Sequence, residues 1–517
     1  MERLERETSY KRCRACGEII SDVSTDYTLP DYLGDIKRIV MTRETVSSGG
    51  ACCEAGQILG GGVVTVSVIY VDAEGRLSSV EFCADYECSQ RADTPSPTDV
   101  LVTSRIISSS VRATTPRRLV AKATVGSLVE IYTDEAITLS EELCSDKLEY
   151  KSEHVGVRSS YLTRLPEREY ADRVCVLDGV MMDDVSIIAK SARPEINSIE
   201  PRDGALCIKG EIVVECAVMC APLAPVMERV TIPFAEECEG RARDPLSFRA
   251  IPSIASLVTS ITATDTGCEI TCDLILDISV LEEASLPVSL PTDAYLPGSK
   301  TECVYDTVSF ESIVGVIDEV HKSEARLDRA ELGMRDVRDI ILTDVTLRQD
   351  TPKRDGEDLI LSGEIRYSGI ATEITEGGSI SYVGFKNSVH YAYNVNNCIL
   401  NEDNVTYYIT PNISGASCMI DKNNIVLSCE IGNRGIIAAK RSCNYIFSVS
   451  VSEGGAQERP RRITVYYPDK DESLYDVAKR FDKTCRAVAN INSLGIDVAA
   501  APAEKGGLKD VRRLIIY

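Results

Sequence analysis

Short runs in which apolar and polar residues alternate recur along most of the 517-residue chain. Val64, Val66, Val68 and Tyr70 fall on one side, with Thr65 and Ser67 between them. Ile212, Val214, Cys216 and Val218 repeat the pattern, with Glu215 on the other side, and Ile365 and Tyr367 give a shorter version before Gly369. A period of two predicts half-buried strands. A second set closes each region: Leu119, Ala121, Ala123 and Val125; then Ile270, Cys272, Leu274, Leu276 and Ile278; then Ile425 to Ile431 and Tyr445 to Val451. Asp203-Gly204 and Asp355-Gly356 suit the positive φ angles of two-residue hairpin turns. Asp72-Ala73-Glu74-Gly75 predicts another hairpin returning through Val80 and Phe82, with Phe234 and Phe385 expected at the equivalent places. The pattern turns helical over Glu324 to Met334, and again where Leu474, Val477, Ala478 and Phe481 share one helical face. Ser473 is placed as an N-cap with Asp476 completing a capping box, and Thr484 caps a second short helix that carries Val488 and Ile491 and ends at Asn492. Ile463 to Tyr467 and Leu514 to Ile516 read as strands flanking the two helices.

These elements are organised by a repeat. Asp35-Ile36-Lys37-Arg38-Ile39 resembles Asp184-Val185-Ser186-Ile187-Ile188 and Asp336-Val337-Arg338-Asp339-Ile340. Each is followed by a turn (Ala55-Gly56, Asp203-Gly204, Asp355-Gly356) and then by Gly62, Gly210 or Gly363, at spacings of 27, 26 and 27 residues. The segments begin 149 and 152 residues apart. Leu29-Pro30 and Leu165-Pro166 mark the start of the first two units. The expected fold is mainly β: three repeated antiparallel sandwich- or barrel-like domains, then a small strand–helix–helix–strand module. The expected boundaries are a tail at 1–26, repeats at 27–140, 150–285 and 286–457 (the third with a preceding helix), and the module at 463–517.

Length and composition fit this division, since 517 residues exceed one core and 44% hydrophobic with 26% charged residues is ordinary globular material. The formal charge of −24 is uneven: residues 458–517 carry a surplus of three positive charges, which leaves −27 on everything before them. An acidic body argues against nucleic-acid binding, which needs clustered Lys and Arg. No apolar run is long enough for a spanning helix, so direct membrane insertion is not expected. The charged start Met1-Glu2-Arg3-Leu4-Glu5-Arg6-Glu7 lacks the apolar stretch of an export signal, so a cytoplasmic location and reduced thiols are expected for the 20 cysteines. Several of these, such as Cys207, Cys216, Cys220, Cys268 and Cys272, alternate within strand runs as small apolar residues. The three histidines, His154, His321 and His390, lie far apart with no nucleophile motif beside them, so no catalytic residues are assigned. Cys13-Arg14-Ala15-Cys16 is half of a zinc site, and Cys52-Cys53 makes an awkward second half. Gly60-Gly61-Gly62 lacks the Lys-Ser/Thr of a phosphate loop. No metal or other cofactor is expected.

The segment from Ile463 to Asn492 resembles a LysM domain. Ser473-Leu474-Tyr475 falls where that family carries Thr or Ser, Leu and an aromatic, Val477-Ala478 at its Ile-Ala pair, Phe481 at its aromatic and Asn492 at its asparagine. Asp471-Glu472 replaces the usual Gly-Asp, and the region from Val498 to Asp510 replaces its Pro-Gly-Gln loop. The resemblance implies a glycan or protein groove bordered by Asp471, Glu472, Ser473 and Leu474 on one side and Asn492, Ser493 and Leu494 on the other. The repeats, sharpest at Asp203 to Val214 and Asp355 to Ile365, resemble those of spore coat and envelope morphogenetic proteins of the SipL type. This implies a non-catalytic scaffold that assembles around the forespore from the mother-cell cytoplasm, self-associating or binding coat proteins through its repeats and docking its last module on a protein or on peptidoglycan. Two exposed carboxylates at 471 and 472 point to a basic partner surface. The alternative reading is a cell-wall glycan-binding protein that assists a hydrolase.

Overall fold

The computed structural model describes residues 5–91, 99–140, 148–220, 225–330, 332, 334, 337–356, 358–375, 380–395, 404–422, 424–453, 463–469, 471–494, 508 and 511–517. The first third holds β1 (Glu5–Thr28), β2 (Ile36–Ser48), β3 (Cys52–Glu54), β4 (Gln57–Asp72), β5 (Leu77–Arg91), β6 (Asp99–Thr115) and β7 (Arg118–Ser140). The second holds β8 (Glu149–Arg164), β9 (Arg168–Asp178), β10 (Val185–Arg202), β11 (Ala205–Cys220), β12 (Val226–Glu239), β13 (Pro245–Ala263) and β14 (Gly267–Tyr295). The third holds β15 (Ser299–Asp328), β16 (Val337–Gln349), β17 (Lys353–Asp355), β18 (Asp358–Ile374), β19 (Ile380–Asn394), β20 (Val405–Asp421) and β21 (Asn424–Glu453). After them come β22 (Thr464–Tyr466), α1 (Leu474–Arg480), α2 (Cys485–Ile491) and β23 (Leu514–Ile516).

All pairings are antiparallel, and among the described residues no sheet closes into a barrel. Each third contributes two sheets. An outer one is built on a long central strand: β7 between β1 and β6, β14 between β13 and the β8/β9 pair, β21 between β15 and β20. An inner one is built on β4, β11 or β18, flanked by β2 and β5, β10 and β12, or β16 and β19. The alternating runs are what lets the two sheets face each other. In the second third, Ile208, Ile212, Val214 and Cys216 of β11 bury against Cys268, Ile270, Cys272 and Leu274 of β14, and their polar neighbours turn outward.

The three marked glycines occupy one kind of place. A Cβ on Gly62, Gly210 or Gly363 would meet the carbonyl oxygen of Ser47, Glu195 or Arg348 at 1.9, 2.2 or 2.3 Å, and the ring of Tyr86, Phe234 or Tyr391 on the other side. Phe234 therefore matches Tyr86 and Tyr391, not Phe82 and Phe385, which face Val66 and Gly369. Ala55-Gly56 and Asp203-Gly204 take the positive φ expected of two-residue hairpins; the third turn is one residue later, after Asp355. Asp336 lies outside the described residues.

Two boundaries and one element differ from the expectation. Residues 5–26 are no tail: β1 pairs with β7 from Glu5 to Thr28, and Tyr10, Cys13 and Val23 are buried. The second unit runs on past 285 to Tyr295. Glu324 to Asp328 is strand, paired with residues 424–428 of β21, and among the described residues that follow there is turn, with Leu332 N–H donating to Asp328 O. Ser323, Ala325 and Leu327 turn half inward while Glu324 and Arg326 face solvent, a period of two that cross-strand pairing selects over the helical reading of the same residues.

The outer strands overshoot their own cores and meet. Tyr10 and Ile137 of the first third, Val155, Val157, Val288 and Leu290 of the second, and Phe310 and Tyr445 of the third form one shared cluster. The inner sheets converge likewise through Met41 and Ile69, Ile188 and Ala217, Ile341 and Ile370. Three cores thus sit around a common junction to which every third contributes.

Candidate functional site

The sequence-marked residues lie in the last module. Thr464 to Tyr466 pairs with Leu514 to Ile516, and α1 and α2 cover one face of that two-stranded sheet through Leu474, Val477, Ala478, Val488 and Ala489. Phe481 is only half-buried and packs edge-on against Tyr466, ring centroids 5.3 Å apart. The start of α1 is tied as its sequence suggests. Asp476 N–H donates to Ser473 Oγ at 3.2 Å, and Ser473 N–H and Oγ–H return bonds to the Asp476 carboxylate. Thr484 Oγ caps α2 by accepting from Ala487 N–H.

These caps change the meaning of the predicted groove. Ser473 and Leu474 are fully buried, and Glu472 is buried too. The Glu472 carboxylate accepts from Tyr466 OH at 2.8 Å and pairs with Arg480 at 2.9 Å. Three of the four residues expected on the near side of the groove are therefore structural, and only Asp471 is exposed. On the far side, Asn492 works inside the fold: its amide donates to Ile515 O at 2.8 Å and accepts from Ile515 N–H at 2.6 Å. Ser493 is exposed and Leu494 half-buried. A paired acidic surface at 471–472 does not exist, because Glu472 is neutralised within the module. Most of the region replacing the Pro-Gly-Gln loop, 498–507 and 509–510, lies outside the described residues.

The module does not hang free. Tyr295, the last residue of β14, inserts among Leu474, Tyr475 and Cys485; its ring meets that of Tyr475 at 5.2 Å, and its hydroxyl donates to Lys483 O at 2.9 Å. Around it, Lys479 pairs with Asp293 and Lys151 with Asp476, Glu149 accepts from Cys485 N–H at the start of α2, and Asp482 accepts from Gly298 N–H. Burial, then Glu149, pushes the Cys485 thiol up to about 12, so it stays protonated. Burial would also raise Asp476, but the Ser473 hydroxyl and backbone N–H and the Lys151 ammonium outweigh it and hold the carboxyl below its usual value. Sequence reasoning missed Tyr295; its only signal was an aromatic closing an alternating run just before Pro297-Gly298.

Beneath the shared apolar cluster lies a buried charged group. Arg158 of β8 donates two bonds to Glu283 of β14 at 2.8 and 2.9 Å and a third to Glu311 of β15 at 2.7 Å, and its guanidinium lies 3.7 Å from the Tyr408 ring centre. Arg249 of β13 donates to both oxygens of Glu130 of β7 and to Thr410 of β20. Every bond but those within the second third crosses between thirds. Cys13 packs beside this group among Leu101, Tyr132 and Leu162. Burial and then Glu130 push its thiol up to about 12, the reverse of what a metal-binding thiolate needs. Among the described residues no set of three His, Cys, Asp or Glu side chains converges as a metal site, and the 18 described cysteines are all unbridged. No described helix is long and apolar enough to cross a membrane.

No protein-family model matches the sequence, and no curated protein sequence does either.

Proposed function

We propose that the chain is a non-catalytic scaffold of spore coat or envelope assembly: three copies of one β-sandwich domain locked into a single platform, carrying a LysM-like module that docks on a protein partner. The observation that carries this reading is the way the module is mounted. A strand–helix–helix–strand unit with both helices capped is fixed to the platform by Tyr295 and two ion pairs, and it presents its sheet outward. A rigid mount supports a role in positioning a partner, and the equivalent glycine–aromatic contacts of β4, β11 and β18 support a repeated domain. A protein partner is favoured over peptidoglycan because the groove-side residues Glu472, Ser473 and Asn492 already have partners within the fold.

The test is to follow a fluorescent fusion of the full chain in sporulating cells. Recruitment from the mother-cell cytoplasm to the forespore surface, lost when residues 463–517 are deleted, is the expected result. A fusion that stays diffuse, or one whose recruitment survives the deletion, overturns the reading. Binding of N-acetylglucosamine oligomers by the full chain would transfer the module to the glycan-binding alternative.

A further inference from the structure

The outward face of the β22–β23 sheet has no partner among the described residues. The register pairs Val465 with Ile515, and the same alternation carries Ile463, Tyr467 and Tyr517 onto that face. All five are exposed, from 39% for Ile515 to 75% for Ile463, whereas Leu514 and Ile516 on the inner face are at 0% and 3%. Five large apolar side chains on one two-stranded sheet is a concentration that soluble surfaces avoid unless something covers it.

The two edges of this sheet are unequal. In an antiparallel pair, residues alternate between positions that bond each other and positions that point their N–H and C=O away. Ile515 is of the second kind, and Asn492 takes up both of its outward groups, so the β23 edge is closed. Val465, directly opposite Ile515, must likewise turn its N–H and C=O away from β23, and no described group bonds them. Among the described residues the β22 edge is therefore open to an added strand.

Charge selects what could add there. Arg512 and Arg513 precede β23, are exposed, and make no ion pair among the described residues. Glu472, the nearby carboxylate, is held by Arg480 and Tyr466. The exposed Asp469 and Asp471 belong to the loop leading to α1, not to the sheet.

We propose that this face and the β22 edge form a docking surface for an extended segment of another protein, one that alternates apolar side chains with carboxylates. The segment adds beside β22, its apolar side chains cover Val465, Tyr467 and Ile515, and its negative charge complements Arg512 and Arg513 beside the sheet. The assignment rests on the reading of the module as a protein-docking unit and specifies its partner chemistry, which is acidic rather than basic.

The test uses the full chain and two short synthetic peptides, one alternating valine and tyrosine with glutamate, the other with lysine in place of each glutamate. Fluorescence anisotropy should show the glutamate peptide binding at least about tenfold more tightly than the lysine one, and weakening with salt. Hydrogen exchange at the Val465 amide should slow in the complex. Val465→Glu, and separately Arg512→Glu with Arg513→Glu, should each cost about tenfold in affinity with thermal unfolding unchanged, since the altered side chains are exposed; Asp471→Lys should leave binding intact. Equal or tighter binding of the lysine peptide, no binding of either, or an unprotected Val465 amide would overturn the proposal. In cells, a Val465→Glu fusion recruited normally, when deletion of 463–517 abolishes recruitment, removes this surface but leaves the module's role standing. Recruitment that survives the deletion removes the role itself.

Discussion

The sandwich cores and the junction between them are built from opposite materials. Within each third, two sheets close on an almost wholly apolar layer, as where Ile208, Ile212 and Val214 meet Ile270 and Leu274. Where the thirds meet, Arg158, Glu283, Glu311, Arg249 and Glu130 are buried or nearly so and bonded to one another. Apolar burial is non-directional, and it holds two sheets together over a range of relative positions. A bidentate guanidinium–carboxylate pair tolerates one geometry. The difference teaches that the apolar layers make each unit fold, while the charged group specifies how the three units sit against each other. The buried charges need not add net stability for this, since the desolvation they suffer offsets much of their attraction.

The largest effect expected from breaking the comparison is at Arg158. Arg158→Ala leaves Glu283 buried without its cation and should cost about 3–5 kcal/mol in urea unfolding. Replacing the pair together, Arg158→Met with Glu283→Leu, should cost less than either single change, because the remaining carboxylate of Glu311 still reaches solvent. A double change that costs more than either single one would show that the pair contributes net stability rather than only specifying an arrangement.

Next is Gly210→Ala, which tests the apolar layer. Its Cβ would lie 2.2 Å from Glu195 O and 2.5 Å from the Phe234 ring, so β10 or the ring must shift, at about 1–3 kcal/mol. Gly62→Ala and Gly363→Ala should behave alike in the same melt, and a loss confined to one of them would break the equivalence of the three units.

A smaller effect, about 1 kcal/mol, is expected for Ser473→Ala, which removes the α1 cap. It sharpens the contrast because the module depends on local bonds as much as on burial. The same cap predicts a pH dependence. The folded-state pKa of Asp476 is depressed, so its contribution is present above the ordinary aspartate value near about 4 and is lost as pH falls through the lower folded value. Module unfolding followed at acid pH should show this slope, and Asp476→Asn should flatten it. Smallest of all, Arg202→Ala should leave unfolding unchanged, since its partner Glu200 is, like it, a solvent-exposed group at a hairpin end. A measurable loss there would mean that surface pairs help specify the sandwiches.

What the sequence determined by itself is everything set by nearest neighbours along the chain. The alternation around Val64 to Tyr70 and Ile212 to Val218, the turns at Ala55-Gly56 and Asp203-Gly204, and the caps at Ser473 and Thr484 were all legible, because strand parity, positive φ and helix-end bonding involve residues only a few positions apart. The three glycines were legible as landmarks, and the physical cause, a crowded carbonyl and ring, appears only with the sheets assembled. Tertiary structure alone decided the rest. Pairing with β7 made a strand of an expected tail, and pairing with β21 overrode the helical reading at Glu324 to Asp328. Arg480 folding back on Glu472 buried a carboxylate expected to face a partner. Tyr295 met its pocket 180 residues further along the chain, at Tyr475. Burial and ion pairing depend on which distant segments arrive at the same place, and no local pattern carries that information.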